Sequence, residues 1–335
     1  MKRLLFAALL CLGYTARAES FCVAAWYPSS EHPGGADSIL ANSDVIDIVH
    51  PFWFTPDAAG NIQSQAGSGW EQQVADWRAA GMLVIPSVFS TISTYLQEPE
   101  LSRHLEQILQ LAETHDFDGI DIDYESFPLA TRDAFATFVE RLAEGLQAQG
   151  RLLAVTVHAK TDEESAWESA RAQDWDRITA VADQFNLMTY DWTNRNEPPG
   201  PIAPTGWTRD VVDYALQFAE PEGTFAGLPF YGYSWTRGRP PARATTWEAT
   251  DRMRVQFGLE PVRDETSGEL SLELDVTGLP RQQVSYSDAV TLQGRLDALP
   301  AGIGGVAIWG VGGEDPANWQ VLADFRPGGC GLVRP

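Results

Sequence analysis

Eight short runs rich in β-branched and aromatic residues recur along the chain with helix-patterned segments between them, and this alternation limits the fold more than any other feature. The runs span 21–28, 44–54, 82–89, 117–125, 152–159, 185–192, 224–235 and 305–312. Between them apolar residues return every three or four positions, as in Leu101, Leu105, Ile108 and Ala112, or Phe135, Phe138, Leu142 and Leu146. That is the period of a helix with one buried face. Strict strand–helix alternation makes parallel βαβ units, and eight of them predict an α/β fold, the closed (β/α)8 TIM barrel. A chain of 335 residues, 44% of them hydrophobic, can bury a core of that size. The rhythm breaks once, over residues 236–286, where "RGRPPAR" and "DETSGE" signal turns and "ELSLELDV" alternates. A small α+β insertion between strands seven and eight is expected there, because barrel insertions extend the catalytic rim.

Residues 1–18 read as a secretory signal: Lys2 and Arg3, an apolar stretch over 4–12, then Ala16-Arg17-Ala18. The stretch is too short for a membrane span, and no later one approaches it. A secreted protein, periplasmic or extracellular and without a membrane anchor, is therefore expected, its barrel occupying residues 19–335. Losing Lys2, Arg3 and Arg17 takes the formal charge from −23 to −26, which argues against nucleic acid or anionic membrane as partners. Cys11 leaves with the signal. Cys22 and Cys330 remain, near opposite ends of the mature chain, in a compartment that permits oxidation, and a disulfide joining the termini is expected.

The fourth run is "FDGIDIDYES", residues 117–126. With a strand period of two, Asp121, Asp123 and Glu125 share one face and Ile120, Ile122 and Tyr124 the other. The apolar side suits a helix layer and the acidic side an enclosed polar space. Glu125 falls at the carboxyl end of its strand, where barrel enzymes place their chemistry. Two carboxylates beside it oppose a further negative charge and are expected to keep its proton on.

Asp118-Gly119-x-Asp121-x-Asp123-x-Glu125 resembles the DGxDxDxE signature of family-18 glycoside hydrolases. "LMTYDW" (187–192) is similar to the sixth strand of that family, "GLPFYGYSW" (227–235) to its seventh and "GVAIWGVGGED" (305–315) to its eighth. "HPFWF" and "PGPIAPTGW" (199–207) look like the spore-germination and cell-wall N-acetylglucosaminidase branch, although no wall-binding repeats are visible. The resemblance implies a retaining, substrate-assisted glycosidase acting on β-1,4-linked N-acetylglucosamine, with chitin oligomers and peptidoglycan both open as the polymer. It implies Glu125 as general acid, Asp123 holding the acetamido N–H, Asp121 sharing a proton with Asp123, and Tyr190 donating to the acetamido carbonyl. Asp191, Trp309 and Met188 would contact or support the sugar, and Asp118 and Gly119 would serve the strand entry. No cofactor, no metal and a monomeric state are expected.

Competing readings are weaker. A calcium loop sets its glycine after several ligands, whereas Gly119 precedes an alternating strand, and no histidine pair has metal-site spacing. No glycine-rich phosphate fingerprint points to an oxidoreductase. His158 lies near the end of the fifth run and is a possible cleft residue; Trp26, Trp53 and Trp235 are open to sugar stacking and to core packing alike. The alternative function is a glycan-binding protein on the same barrel, but such relatives usually lack the acid that this chain keeps at Glu125.

Overall fold

The computed structural model describes residues 20–28, 34–326 and 328–334, so the signal segment 1–18 and Cys11 lie outside the described residues. Eight parallel strands close on themselves: β1 (Cys22–Tyr27), β2 (Ile48–Pro56), β3 (Ser87–Ser90), β4 (Gly119–Tyr124), β5 (Leu152–His158), β6 (Gln184–Met188), β7 (Thr224–Pro229) and β8 (Gly305–Trp309). Neighbours in sequence are neighbours in the sheet, and β1 pairs with both β2 and β8. The predicted TIM barrel is therefore present, each strand overlapping its predicted run, with β2, β3 and β6 reaching one or two residues beyond theirs.

Two apolar cores hold it. The larger lies between strands and helices. The helices Glu100–Thr114 and Arg132–Ala148 bury the two apolar stripes named above, while β4 sends Ile120, Ile122 and Tyr124 outward to meet them, all fully buried. Tyr124 stacks on Phe138 at 5.3 Å with planes 5° apart, and its hydroxyl meets His104 Nε2 at 2.5 Å. The smaller core fills the barrel and includes Cys22, Ala24, Leu152, Ala154 and Phe225. Gly119 faces this interior, where a Cβ would collide with the carbonyl of Leu152, so its lack of a side chain lets β4 and β5 approach.

Cys22 and Cys330 are bonded, their Cα atoms 4.3 Å apart and 308 positions apart in sequence. The bond fastens the chain end beneath the start of β1.

The seventh run divides between two sheets. Residues 224–229 complete the barrel, whereas Tyr231–Thr236 belongs to a separate antiparallel sheet with Arg243–Thr246, Gln282–Tyr286, Leu270–Leu274 and Val262–Arg263, accompanied by the helix Trp247–Phe257. A buried ion pair locks this unit to the rim. Glu269 accepts from Arg295 Nη2 at 2.6 Å and from the main-chain N–H groups of Ile202 and Ala203 at 2.8 and 2.6 Å. The pair thereby fixes the loop that follows β6.

Candidate active site

Strand β4 delivers three acidic side chains to the barrel interior at rising height. Asp121, opposite Ser87 and Ala154, is fully buried and satisfied: it accepts from Trp26 Nε1 at 3.1 Å, Ser87 Oγ at 2.6 Å and Thr156 Oγ1 at 2.8 Å. Below it a polar chain crosses the barrel. Thr156 receives Asn186 Nδ2 at 3.3 Å, Asn186 receives Gln184 at 2.8 Å, and Gln184 meets His50 Nε2 at 3.0 Å. Burial pushes the His50 imidazole below its ordinary range and so favours its neutral form.

Asp123 stands one pleat higher, and its Oδ1 has no hydrogen-bond partner. Burial raises its carboxyl well above the usual range, and the charges of Glu125 and Asp121 push the same way. A buried carboxylate oxygen left open is costly unless a ligand donor fills it.

Glu125 follows the last strand residue, anchored by its N–H to Ser90 O at 2.7 Å. Ser126 then turns the chain through a positive φ of 61°, an unfavourable backbone state for a residue with a side chain. The Glu125 carboxyl is raised to about 7, first by burial and then by the charge of Asp191. The raised carboxyl agrees in direction with the sequence-based expectation, but the principal cause is loss of water, and the charge that acts, that of Asp191, lies in the loop after β6.

Tyr190 and Asp191 leave the end of β6. Gly227 on β7 makes room for Tyr190, because a Cβ there would come within 3.1 Å of the ring. Asp191 adopts φ 57°; its Oδ1 accepts from the hydroxyls of Tyr231 and Tyr233, the latter also 3.0 Å from Oδ2. The residue lies at the open rim, yet crowding of its carboxyl by these rings strips water and raises it, against the hydroxyl donors that lower it. Trp309 ends β8 half-buried, 6.4 Å from the Tyr190 ring and nearly parallel to it, with Phe52 edge-on at 5.3 Å and Trp26 at 6.0 Å. These rings make an apolar floor. Met188 is buried at the end of β6 and paired in register with His158.

Thus the fold brings Asp121, Asp123, Glu125, Tyr190, Asp191, Trp309 and Met188 to one end of the barrel. It leaves Asp118 and Gly119 at the other end, where Asp118 accepts Val84 N–H at 2.8 Å.

Sequence reasoning left two participants unassigned. Trp26 is buried and binds Asp121, and the signal for it was only its place at the end of the first run. His158 sets Nε2 3.8 Å from Glu125 Oε2, has no hydrogen-bond partner on that atom, and lies under the exposed Trp167 at 4.4 Å. Burial pulls its pKa to about 3, so it is a neutral imidazole beside the acid. Trp53, by contrast, is core, stacked on Trp77. Among the described residues no group of three or more His, Cys, Asp or Glu is placed to hold a metal ion.

A protonated carboxylic acid at the open end of an eight-stranded barrel, with a second carboxyl beside it and an aromatic floor, defines a glycosidase-type barrel. The model of the family "Glycosyl hydrolases family 18" matches residues 89–314, and the chain belongs to that family. It is 26% identical over 230 residues to a cortical fragment-lytic enzyme of Bacillus anthracis, covering 67% of this chain and 53% of that one. It is 33% identical over 150 residues to a putative sporulation-specific glycosylase, YdhD, of Bacillus subtilis (strain 168), covering 44% and 35%. The chain spans about half the length of the cortical fragment-lytic relatives it matches. Among solved structures, a chitinase from Chromobacterium violaceum superposes with TM-score 0.84 at 22% identity, covering 91% of this chain and 99% of that one. The spore cortex-lytic enzyme SleL of Bacillus cereus does so with TM-score 0.83 at 21% identity, covering 94% and 76%. Both likenesses establish the fold.

Proposed function

We propose that the chain is a secreted glycosidase that hydrolyses β-1,4 bonds of N-acetylglucosamine-containing glycans with retention, using the substrate's own acetamido group. One arrangement carries the reading: Glu125 stands at the mouth of the barrel, one pleat above the unpartnered Oδ1 of Asp123, with burial raising its carboxyl to about 7, within the pH range where a general acid is most useful.

The residues divide the work as follows. Glu125 gives its proton to the glycosidic oxygen while the acetamido carbonyl oxygen of the sugar attacks the anomeric carbon, breaking the bond to the leaving sugar. The open Oδ1 of Asp123 accepts the acetamido N–H, and the proton that Asp123 holds lies toward Asp121, whose other contacts are filled. The Tyr190 hydroxyl, kept protonated chiefly by burial, donates to the acetamido oxygen, and Asp191 supports the site through Tyr231 and Tyr233. Trp309 carries the apolar face of the ring. The carboxylate of Glu125 then takes a proton from water as that water opens the cyclic intermediate, which returns the acid form and retains the anomeric configuration. No cation and no cofactor enters these steps.

Residues 1–18 support export, and the Cys22–Cys330 bond supports an oxidising compartment. Among the described residues no helix is long and apolar enough to cross a membrane. We take the working unit to be a monomer.

Mass spectrometry of products with reducing-end labelling tests the reading on chitin oligomers and on purified peptidoglycan. N-acetylglucosamine is expected at every new reducing end, as the β-anomer by NMR. A muramic acid end, or efficient cleavage of cellulose oligomers that lack the acetamido group, would overturn it.

A further inference from the structure

The insertion carries arginines that the site above does not use. Along Tyr231–Thr236, residues 231, 233 and 235 share a face. Tyr231 and Tyr233 hold Asp191, and Trp235 stands edge-on to Tyr233 at 5.8 Å. Beyond Trp235 the chain continues as Arg237-Gly238-Arg239-Pro240-Pro241-Ala242-Arg243, with no acidic residue in the run. Trp235, Arg237, Arg239 and Arg281 line a groove of about 390 Å³, together with Glu273, whose carboxylate is taken up by Arg281. Arg195 joins from the loop after β6: its carbonyl accepts Ala242 N–H at 2.8 Å, and its charge acts on both Asp191 and Tyr233. Trp235 Nε1 donates to Glu197 O at 2.8 Å, so the arginine-bearing turn and the Asp191 loop are pinned together.

Apart from Arg281, which is paired, the arginines of this rim lack carboxylate partners. Among the described residues, the cations with no carboxylate within 4.0 Å are Arg103, Arg171, Arg195, Arg237, Arg239 and Arg243, and four of these six share this rim. The nearby acids are largely committed. Glu273 and Asp275 pair with Arg281 at 3.0 and 3.8 Å, and Glu197 lies on the Asp191 side, where its charge is felt. In a chain of formal charge −23, a local group of unpaired guanidinium forks beside an aromatic ring is an arrangement that receives carboxylates, each fork offering paired donors.

We propose that this groove binds carboxylate substituents of the glycan, so that the substrate is a chain whose sugars carry lactyl or peptide carboxyl groups rather than a neutral homopolymer. The inference rests on the glycosidase reading and specifies its substrate. Four strand positions separate Tyr233 from Arg237, about 13 Å at ~3.3 Å per residue, so the groove meets the glycan outward of the sugar being cleaved. The negative field of the whole molecule repels an acidic polymer, and a local positive rim is what admits one.

Direct binding tests this without catalysis. Glu125→Gln, alone and combined with Arg237→Gln and Arg239→Gln, is titrated with an oligosaccharide alternating N-acetylglucosamine and N-acetylmuramic acid, and with the same oligosaccharide after amidation of its carboxyls. The chain retaining both arginines is expected to bind the acidic form about tenfold more tightly, with a preference that shrinks in salt, and the triple variant to lose that preference. Equal affinity for the two forms, or a preference that survives removal of the arginines, would overturn the inference. The parent chain with Glu125 intact separates the two levels: if it cuts neither form while the binding preference holds, the glycosidase reading fails and the groove stands.

Discussion

The two ends of strand β4 carry the same acidic side chains and treat them in opposite ways. At the entry, Asp116 pairs with Arg151 at 3.1 Å and Arg334 at 2.9 Å, and Asp118 lies 3.8 Å from Arg78 and 3.7 Å from Arg334. At the exit, Asp121, Asp123 and Glu125 have no lysine or arginine within 4.0 Å among the described residues, and burial keeps His158 beside Glu125 and His50 near Asp121 in their neutral forms. Arginine hydrogen bonds hold the Asp116 carboxyl below its ordinary range, whereas burial holds Asp123 and Glu125 above theirs. An acidic run in a sequence therefore carries little meaning until its partners are known. Paired, it is a clamp; unpaired and dry, it is a store of protons.

The largest expected effect lies at the exit. Glu125→Gln should lower kcat by about 10² to 10⁴-fold while circular dichroism and the melting profile stay those of a folded chain. Turnover like that of the parent would remove the distinction between the two ends. Next comes the bond that closes the entry end. Cys330→Ser should cost about 4 to 5 kcal/mol in denaturant melts, since the loop closed in the unfolded chain is very long, with kcat of the folded fraction unchanged.

The proton of Glu125 sets the third. Its carboxyl titrates near 4.5 when unfolded and at about 7 when folded, so between those values the native chain binds more protons and stability falls as the pH rises. Glu125→Gln should remove that fall and gain on the order of 3 kcal/mol at pH 8 relative to pH 4. The rate should likewise decline above about pH 7, where the acid is lost. A rate constant to pH 9 would show that another group supplies the proton. The smallest effect returns to the entry. Asp116→Ala should change stability by no more than about 1 kcal/mol, less in high salt, because its carboxylate is exposed. Its folded pKa is depressed, so whatever it contributes is present above the unfolded value and disappears as the pH falls.

The contrast also explains what was legible. The helix stripes, the strand runs and the motif around Glu125 are local patterns, and each is found where its period placed it. Thr156 and Asn186 lie within the runs 152–159 and 185–192 and Gln184 just before the second, yet they form the polar chain beneath Asp121. Their inward direction depends on register across β4, β5 and β6, which a single strand does not record. The same holds for Trp26, three strands from Asp121, and for the division of the run 224–235 between two sheets, where a change of partner leaves no mark in composition.

By itself the sequence determined the alternation that closes the barrel, the two oxidisable residues Cys22 and Cys330, and the position of Glu125 at the end of its strand, because each follows from side-chain period or residue chemistry within one segment. Only the tertiary structure decided that Glu125 owes its proton first to burial and then to Asp191, that His158 faces it without a partner, and that the unpaired arginines gather on one rim of an acidic molecule. Desolvation and charge pairing depend on what lies across space, and segments far apart in the chain supply it.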